Sequence, residues 1–449
     1  MTRAVALHTL ADLSARQRSE LLLRPESHLV PYLAKVQTII DAVREEGDVA
    51  LARFAGEFDG AAVRADGIAA TPDDFARAER AVDPELIETL NFCSENIRRF
   101  HERQMPESLW MIEMHPGVFA GERVTPIDSV ACYIPRGKGS FPSVVMMTAI
   151  PALVAGVPRK VILTPPGPDG NIDAATLVAA RLAGIEDVYR CGGAQGVAAV
   201  AYGTDTVPRC HKIVGPGSPW VVAAKHLLSD RLDAGTPAGP SESIVLCDET
   251  ADGWVAALDL LNEAEHGPDS SAYLVTSSAG VAEVARDAVA KGLEHMGDQR
   301  AAFAAEVLGG RNGGIVLADS FDDAIAFVND FAPEHLMVHA DNPFEHLDRI
   351  RNAGEILLGE HTPICIGNFA LGPNAVLPTN AAAMTHSPLG VHDFLKRISV
   401  GHMTRSGYDH LAPHAHRLAR YEGFDAHANA VSHLRDAART ASKNPRRTP

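Results

Sequence analysis

The sequence predicts an α/β protein built from two Rossmann-like parallel-sheet domains, with helical extensions at the N-terminal and C-terminal ends. From about Val124 to Leu358, short β-branched runs alternate with alanine-rich helical runs. Such alternation is typical of parallel sheets flanked by helices. Residues 1–110 and the chain after Val391 have helical patterns instead. The predicted regions are a helical N-terminal region, a first and a second α/β domain and a helical C-terminal region, with bounds 1–110, 111–236, 237–381 and 382–449.

Two patterns predict the N-terminal helices. Tyr32–Phe58 is amphipathic at helical spacing. Thr71-Pro72-Asp73-Asp74 has the pattern of an N-cap followed by proline in the first turn, and it predicts a helix that continues toward Arg103.

The alternating region falls into two series of predicted strands and helices. The runs of the first series are Ser129–Ile134, Ser143–Val157, Lys160–Pro165, Ala174–Gly184, Asp187–Cys191, Gly196–Tyr202, Lys212–Val214 and Pro219–Leu228. The runs of the second series are Ser243–Cys247, a helix that ends at His266, Ala272–Thr276, Val281–Gly292, Gly314–Ala318, Asp322–Asn329, Leu336–His339, Pro343–Arg351 and Glu355–Leu358. Between about Gly359 and Gly390 the chain lacks periodicity, and a loop of that length in a compact domain is usually functional.

Composition excludes several classes of partner. Lys and Arg number 40 against 57 Asp and Glu in 449 residues, which gives a net charge of −17, so neither nucleic acid nor an anionic membrane is an expected partner. The six cysteines form no C-x-x-C pair, which favours a reduced, cytoplasmic protein. No apolar segment is long enough for export or membrane insertion, so we expect neither.

Three glycine-rich turns lie between predicted strands and helices. Gly137-Lys138-Gly139-Ser140-Phe141-Pro142 approaches a dinucleotide-binding fingerprint, but proline replaces its third glycine and no acidic residue ends the next strand. The turns at Gly192–Gly196 and Gly215–Ser218 could bind anions through exposed N–H groups, or could serve only as tight turns. Their positions favour a ligand at the carboxyl edge of the sheet.

Two pairs of polar residues could carry chemistry. Glu263 and His266 lie on adjoining turns of a predicted helix that ends at Gly267-Pro268, so they form either two corners of a metal site or a solvated face. Glu334 and His335 precede a predicted strand and could act as a general acid and base, or could be ordinary loop residues.

Nine sequence blocks occur in order across nearly the whole chain. They are Tyr133-Ile134-Pro135, Gly192-Gly193-Ala194-Gln195, Ala201-Tyr202-Gly203-Thr204, Lys212-Ile213-Val214-Gly215-Pro216-Gly217, Ala238-Gly239-Pro240-Ser241-Glu242, Ala264-Glu265-His266-Gly267-Pro268-Asp269, Pro333-Glu334-His335-Leu336, Val376-Leu377-Pro378-Thr379 and Asp393-Phe394-Leu395-Lys396-Arg397. Together they resemble the histidinol dehydrogenase family. The resemblance implies a zinc- and NAD-dependent homodimer that oxidises a primary alcohol through an aldehyde to a carboxylate. It also implies a cofactor site without the standard glycine fingerprint.

The resemblance assigns roles to individual residues. It implies that His335 is the base that takes the hydroxyl proton and that Glu334 activates water in the second oxidation. The positions that match cofactor contacts are Tyr133, Gln195 and Ser218. The positions that match metal ligands are Glu263, His266, Asn368 and His427. The positions that match substrate contacts are Ser241, Glu263, His266, His335, Asn368, Glu422 and His427.

The chain departs from the family at the metal positions. The family has glutamine where this chain has Glu263, and aspartate where it has Asn368, so an amide and a carboxylate have changed places. The set still offers one negative charge and two imidazoles, which favours a retained divalent site for Zn²⁺, with Mn²⁺ as the alternative.

Other departures concern the substrate and the cofactor. Ala375 replaces a histidine near the substrate and removes a polar group from the pocket wall, and Ser218 replaces a cofactor-contacting asparagine. Arg136 and Lys138 add positive charge near the expected cofactor phosphates, which makes NADP an alternative to NAD.

These observations predict a specialised relative of histidinol dehydrogenase that oxidises a small polar primary alcohol with NAD. A genuine L-histidinol dehydrogenase and a sulfopropanediol-type dehydrogenase are alternatives. A metal-dependent hydrolase that uses Glu334 and metal-bound water is a rival from another enzyme class, and a non-enzymatic metal-binding role is a further alternative.

Overall fold

The structure is a computed structural model that describes residues 5–24, 29–136 and 139–442. Gly137 and Lys138 of the first glycine-rich turn lie outside the described residues. The α-helices are α1 (Ala15–Leu21), α2 (Val30–Glu46), α3 (Asp48–Asp59), α4 (Pro72–Ala81), α5 (Pro84–Glu102), α6 (Pro142–Val154), α7 (Ala174–Leu182), α8 (Gly193–Tyr202), α9 (Pro219–Leu227), α10 (Gly253–Ala264), α11 (Ala279–Leu293), α12 (Asp298–Leu308), α13 (Phe321–Phe331), α14 (Ile364–Phe369), α15 (Arg405–Tyr421), α16 (Asp425–Ala430) and α17 (His433–Ser442). In this described part of the chain, no helix combines the length and the apolar character needed to cross a membrane.

The strands form three sheets. They are β1 (Leu7–Thr9), β2 (Leu109–His115), β3 (Val118–Pro126), β4 (Ser129–Tyr133), β5 (Arg159–Thr164), β6 (Val188–Arg190), β7 (Lys212–Val214), β8 (Glu242–Cys247), β9 (Ser271–Thr276), β10 (Gly313–Leu317), β11 (His335–His339), β12 (Glu355–Leu358) and β13 (Leu395–Met403). The first sheet has the order β6-β5-β4-β7 and the second has the order β1-β10-β9-β8-β11-β12. Every strand pair in these two sheets is parallel, so the predicted α/β class is confirmed.

The chain divides into two compact units. The first unit comprises residues 1–105 and 126–394 and contains both parallel sheets. The second unit comprises residues 106–125 and 395–449 and contains the third sheet, in the order β13-β3-β2, with β2 and β3 antiparallel.

Local sequence signals divide the N-terminal helices more finely than the amphipathic patterns predict. Gly47, at φ +56°, separates α2 from α3 inside the predicted Tyr32–Phe58 stretch. The predicted capping box at Thr71 is present, but the helix ends at Ala81. Asp83 then caps a new helix with Pro84 in its first turn, so one predicted helix is two.

Two strands lie inside the terminal regions that were expected to be helical. β1 is a parallel edge strand beside β10. Its three residues are too few to show a periodic pattern. β13 has no buried residue, so it lacks the apolar alternation by which a half-buried strand is recognised.

The central strands place polar residues at opposite edges of the two sheets. β4, β8, β9 and β11 are buried along their whole length, as expected for parallel strands covered on both faces. Tyr133 ends β4, and α8 and α9 follow β6 and β7, at the carboxyl edge of the first sheet. Glu242, His335 and Glu355 instead begin the neighbouring strands β8, β11 and β12, at the amino edge of the second sheet.

Candidate active site

Glu334 and His335 form a buried pair at the start of β11. Their side chains are 10% and 4% exposed, and Glu334 Oε1 lies 3.8 Å from His335 Nε2. The turn before them contains Ala332 in the left-handed region, at φ +52°, a conformation that is costly for alanine and is typical of functional sites. The pair therefore has the proximity that general acid–base chemistry requires.

Each member of the pair is held by a second partner. The backbone N–H of Glu242 donates to Glu334 Oε2 at 3.0 Å. His335 Nδ1 lies 2.5 Å from Glu355 Oε1. Because an ionised carboxylate can only accept a hydrogen bond, Nδ1 donates and Nε2 is left to face Glu334.

The position of Glu242 is itself fixed by a buried ion pair. Arg24 forms a bidentate contact with Glu242, with both N–O distances 3.0 Å. The backbone N–H of Asn380 also donates to Glu242 Oε1 at 2.7 Å. These contacts hold Glu242 in place. The backbone N–H of Glu242 in turn holds the carboxylate of Glu334.

The pKa values of Glu334 and His335 are both raised, but for different reasons. Burial is the main cause that raises the pKa of Glu334 to about 8. Burial lowers the pKa of His335, but the carboxylates of Glu334, Glu355 and Glu263 outweigh it and raise that pKa to about 10. The cluster therefore holds a proton at neutral pH, and the imidazole becomes a base as the pH rises.

Glu263, His266 and Asn368 converge beside this pair. Glu263 is buried in the last turn of α10, and its Oε2 lies 3.2 Å from His266 Nδ1. Asn368 on α14 places its amide nitrogen 3.4 Å from Glu263 Oε1. Asn368, which lies 105 positions after Glu263 in the chain, thus joins the predicted Glu263–His266 pair.

The chemistry of this group fits a divalent cation. Asn368 Oδ1 is buried and has no hydrogen-bond partner among the described residues. His266 Nδ1 faces the carbonyl of Asn262 at 3.1 Å, which leaves Nε2 as the nitrogen for a metal, an arrangement typical of metal-binding histidines. Among the described residues, no three His, Cys, Asp or Glu side chains form a metal cluster, so the amide of Asn368 is needed to complete a third ligand.

The residues predicted to contact the cofactor lie at the carboxyl edge of the first sheet. The N–H of Gly193 donates to the Tyr133 hydroxyl at 3.1 Å, and burial raises the pKa of Tyr133 to about 12, so this hydroxyl stays protonated. Gln195 is buried in the first turn of α8, and Ser218 is exposed at the N-cap of α9. Their role in cofactor binding remains a prediction.

A cavity of about 340 Å³ joins the two sheet edges within the first unit. Gly217 and Pro219, which flank Ser218, line one side, and Glu242 and Ser271 line the other. Ser241, a predicted substrate residue, directly precedes Glu242. The cavity therefore extends from the predicted cofactor turn to Glu242, whose backbone N–H holds the carboxylate of Glu334.

A second cavity, of about 600 Å³, is lined in part by Glu355, the partner of His335. Glu355, Pro373 and Asn374 line it, and Ala375 follows directly in the chain. Glu355 therefore contacts His335 and also lines a cavity with the loop that contains Ala375, the residue predicted to replace a histidine near the substrate.

Glu422 and His427 belong to the second unit. Both are exposed, Glu422 at the end of α15 and His427 on α16. Their assignment to the substrate and metal positions remains a prediction.

Glu355 is a site residue that the sequence did not indicate, as are Arg24 and Glu242. It opens a run correctly predicted as a strand, where a single carboxylate before apolar residues is unremarkable. Only the parallel register that sets Glu355 opposite His335 could have revealed it.

The fold and this site together define an α/β protein with a buried glutamate–histidine pair beside three side chains whose donor atoms suit a divalent cation. The chain belongs to the histidinol dehydrogenase family of oxidoreductases, because the family model described as Histidinol dehydrogenase matches residues 22–435. This family uses NAD and Zn²⁺. The predicted family membership is confirmed.

Relatives and a solved structure agree with this assignment. The chain is 59% identical to a "Histidinol dehydrogenase homolog" of Colwellia psychrerythraea over 99% of both chains. It is 45% identical to a "Histidinol dehydrogenase" of Synechocystis sp., over 96% of this chain and 98% of the relative. The crystal structure of histidinol dehydrogenase from Elizabethkingia anophelis superposes with a TM-score of 0.91 at 32% identity, covering 97% of this chain and 99% of that one.

Proposed function

We propose that this protein is a metal- and NAD-dependent dehydrogenase that oxidises a small polar primary alcohol other than histidinol, through the aldehyde, to the carboxylate. The contact between Glu263 and Asn368 carries the proposal. Relative to the family pattern, amide and carboxylate have exchanged positions, yet the two side chains still meet beside an intact acid–base pair. Loss of a site by drift would more often remove the charge or a ligand than keep one carboxylate and one amide in contact.

The names of the relatives support a function distinct from histidinol oxidation. Four relatives named as histidinol dehydrogenase homologs are 56% to 59% identical to this chain. Four relatives named histidinol dehydrogenase are 40% to 45% identical. Ala375, where the family has a histidine near the substrate, supports the same conclusion because a polar substrate contact is lost there.

His335 and Glu334 divide the proton chemistry in this proposal. His335 Nε2 takes the proton of the substrate hydroxyl in the first oxidation. Glu334 takes a proton from water as that water attacks the aldehyde carbon in the second oxidation. When bound, NAD⁺ supplies the hydride acceptor, and a divalent cation supplies positive charge that orients and polarises the substrate.

Glu263, His266 and Asn368 would hold the cation, with His427 as the fourth proposed ligand. The set combines carboxylate, amide and imidazole donors, which suits Zn²⁺ and also admits Mn²⁺. Tyr133, Gln195 and Ser218 would contact NAD at the carboxyl edge of the first sheet. Buried Glu334 and His335 would be shielded from bulk water, which strengthens their electrostatic effect on the substrate.

We also propose that the protein is a homodimer, as the family resemblance implies. Strand β2 of the second unit exposes five large apolar side chains, divided between its two faces, and such a concentration of exposed apolar residues is typical of a protein interface. They are Leu109, Trp110, Met111, Ile112 and Met114. Sedimentation of the protein with and without the Ile112→Lys change tests whether a second copy covers this strand.

Calorimetric titration with NAD tests the enzyme class. The dehydrogenase predicts saturable NAD binding that the Gln195→Ala change weakens. An absence of binding at millimolar NAD would instead favour a metal-dependent hydrolase that uses Glu334 to activate water.

A further inference from the structure

Glu355 and His335 are locked side by side by the backbone of two parallel strands. The two residues are register partners in β11 and β12. The N–H of Glu355 donates to the carbonyl of Glu334 at 3.0 Å, and the N–H of Gly354 donates to the carbonyl of Pro333 at 2.9 Å. The carboxylate therefore reaches the imidazole from a fixed position and does not depend on a mobile loop.

The contact between the two side chains is short and buried. His335 Nδ1 and Glu355 Oε1 are 2.5 Å apart, and the side chains are 4% and 8% exposed. A Cβ atom at Gly367 would lie 3.3 Å from Glu355 Oε2, which is closer than an ordinary contact. Because Gly367 has no side chain, the Glu355 carboxylate has space at this position. The packing of α14 is thus compatible with a carboxylate at this position.

The contact selects one tautomer and one ring orientation of His335. A neutral imidazole carries its proton on either Nδ1 or Nε2. With Nδ1–H donated to Glu355, the lone pair stands on Nε2, which faces Glu334. Without Glu355, the other tautomer becomes accessible and the ring is free to rotate.

We propose that Glu355 is a positioning residue that holds the His335 imidazole in the orientation and tautomer required to accept a substrate proton at Nε2. This inference rests on the proposed function, because it assigns Glu355 to the base of the alcohol oxidation. A carboxylate behind a catalytic imidazole performs the same task in other enzymes, where it orients the ring without touching the substrate. The fold supplies it here from the neighbouring strand.

The decisive comparison is between the Glu355→Ala and Glu355→Gln variants of the full-length protein. Alanine removes the acceptor, whereas glutamine keeps an amide oxygen that can accept the Nδ1 proton. We expect the alanine variant to lose about 10- to 100-fold in kcat for alcohol oxidation, with KM for the alcohol changed less than about twofold. We expect the glutamine variant to keep the ring in place but to recover only part of that loss, because its NH₂ group can also face Nδ1 and select the other tautomer. Glu360→Gln, two residues beyond the carboxyl end of β12, is the matched control and should leave kcat unchanged.

Nitrogen-15 NMR of the His335 ring separates this inference from the proposed function. In the parent protein we expect protonated Nδ1 and unprotonated Nε2 once the imidazole is neutral, and in the alanine variant a mixture of tautomers. If the parent oxidises none of the alcohols tested, the proposed function fails, and the NMR comparison still tests the role of Glu355. Equal kcat in the alanine variant and the parent, or an unchanged tautomer in the alanine variant, would overturn the inference.

Discussion

Glu263 and Asn368 lie 105 residues apart in the chain, yet Glu263 Oε1 is 3.4 Å from the amide nitrogen of Asn368. Glu263 comes from the last turn of α10 and Asn368 from α14. The proposed exchange of carboxylate and amide relative to the family pattern would thus be an exchange between neighbours in space. The proposed exchange would keep a single negative charge at this place, which favours the binding of a divalent cation.

The negative charge of Glu263 beside Asn368 should control how much zinc the protein binds. We expect Glu263→Gln to weaken zinc binding about 10- to 100-fold, since it removes the carboxylate of the set. Adding Asn368→Asp to that variant restores one carboxylate and should recover much of the lost affinity. Metal analysis after dialysis against a chelator checks both outcomes, and a Glu263→Gln protein that keeps a full complement of zinc would contradict them.

Glu334 should matter more for the second oxidation than for the first. Only the second oxidation requires activated water, so we expect Glu334→Gln to slow the conversion of aldehyde to acid at least tenfold more than the conversion of alcohol to aldehyde. Quantifying NADH, aldehyde and acid in single-turnover reactions measures both steps. Equal losses in the two steps would refute this division of roles.

The raised pKa of His335 predicts an alkaline pH profile. Since the folded protein raises this pKa to about 10, the imidazole is mostly protonated at pH 7 and gains the capacity to accept a proton as the pH increases. The rate of alcohol oxidation should therefore climb between pH 7 and about 10, by at most about tenfold per pH unit. A rate that stays level or declines over this range would be inconsistent with His335 as the base.

The sequence predicted the strands and helices that form the parallel sheets, because buried parallel strands produce continuous β-branched runs. It missed α12, whose alanine-rich sequence has few large apolar residues, and β2, whose residues are all exposed. Glu263 and His266 were paired by helical spacing alone. Asn368 needed the family resemblance, and Glu355 needed the strand register, because single-sequence patterns do not report contacts between distant segments.

The partly buried carboxylate of Asp59 allows a prediction about the pH dependence of stability, which can be measured without an activity assay. Burial raises its pKa to about 6, and its Oδ2 has no hydrogen-bond partner among the described residues. Because the folded pKa is above the usual 3.8, the stability associated with this group is complete below about pH 3.8 and is lost as the pH rises through 6.

We therefore expect Asp59→Asn to raise the free energy of unfolding at pH 7.5 by about 1 kcal/mol. This value is smaller than the pKa shift alone implies, because Asp59 is partly exposed and solvent screens its charge. Thermal melts at pH 7.5 and pH 4 check the prediction, since the difference should shrink at the lower pH. Glu57→Gln, an exposed change on the same helix, should have no effect at either pH. A stabilisation by Asp59→Asn that is equal at both pH values would show that desolvation of the carboxylate is not its cause.

The most direct test of the proposed function is a comparison of kcat/KM for NAD reduction across L-histidinol, other amino alcohols, diols and hydroxyalkyl sulfonates such as sulfopropanediol, with Zn²⁺ and with Mn²⁺. We predict that at least one alcohol of the panel exceeds L-histidinol at least tenfold, with activity lost when the metal is removed. If L-histidinol is the best substrate, the protein is a genuine histidinol dehydrogenase that tolerates the exchange of Glu263 and Asn368, and the central claim is contradicted.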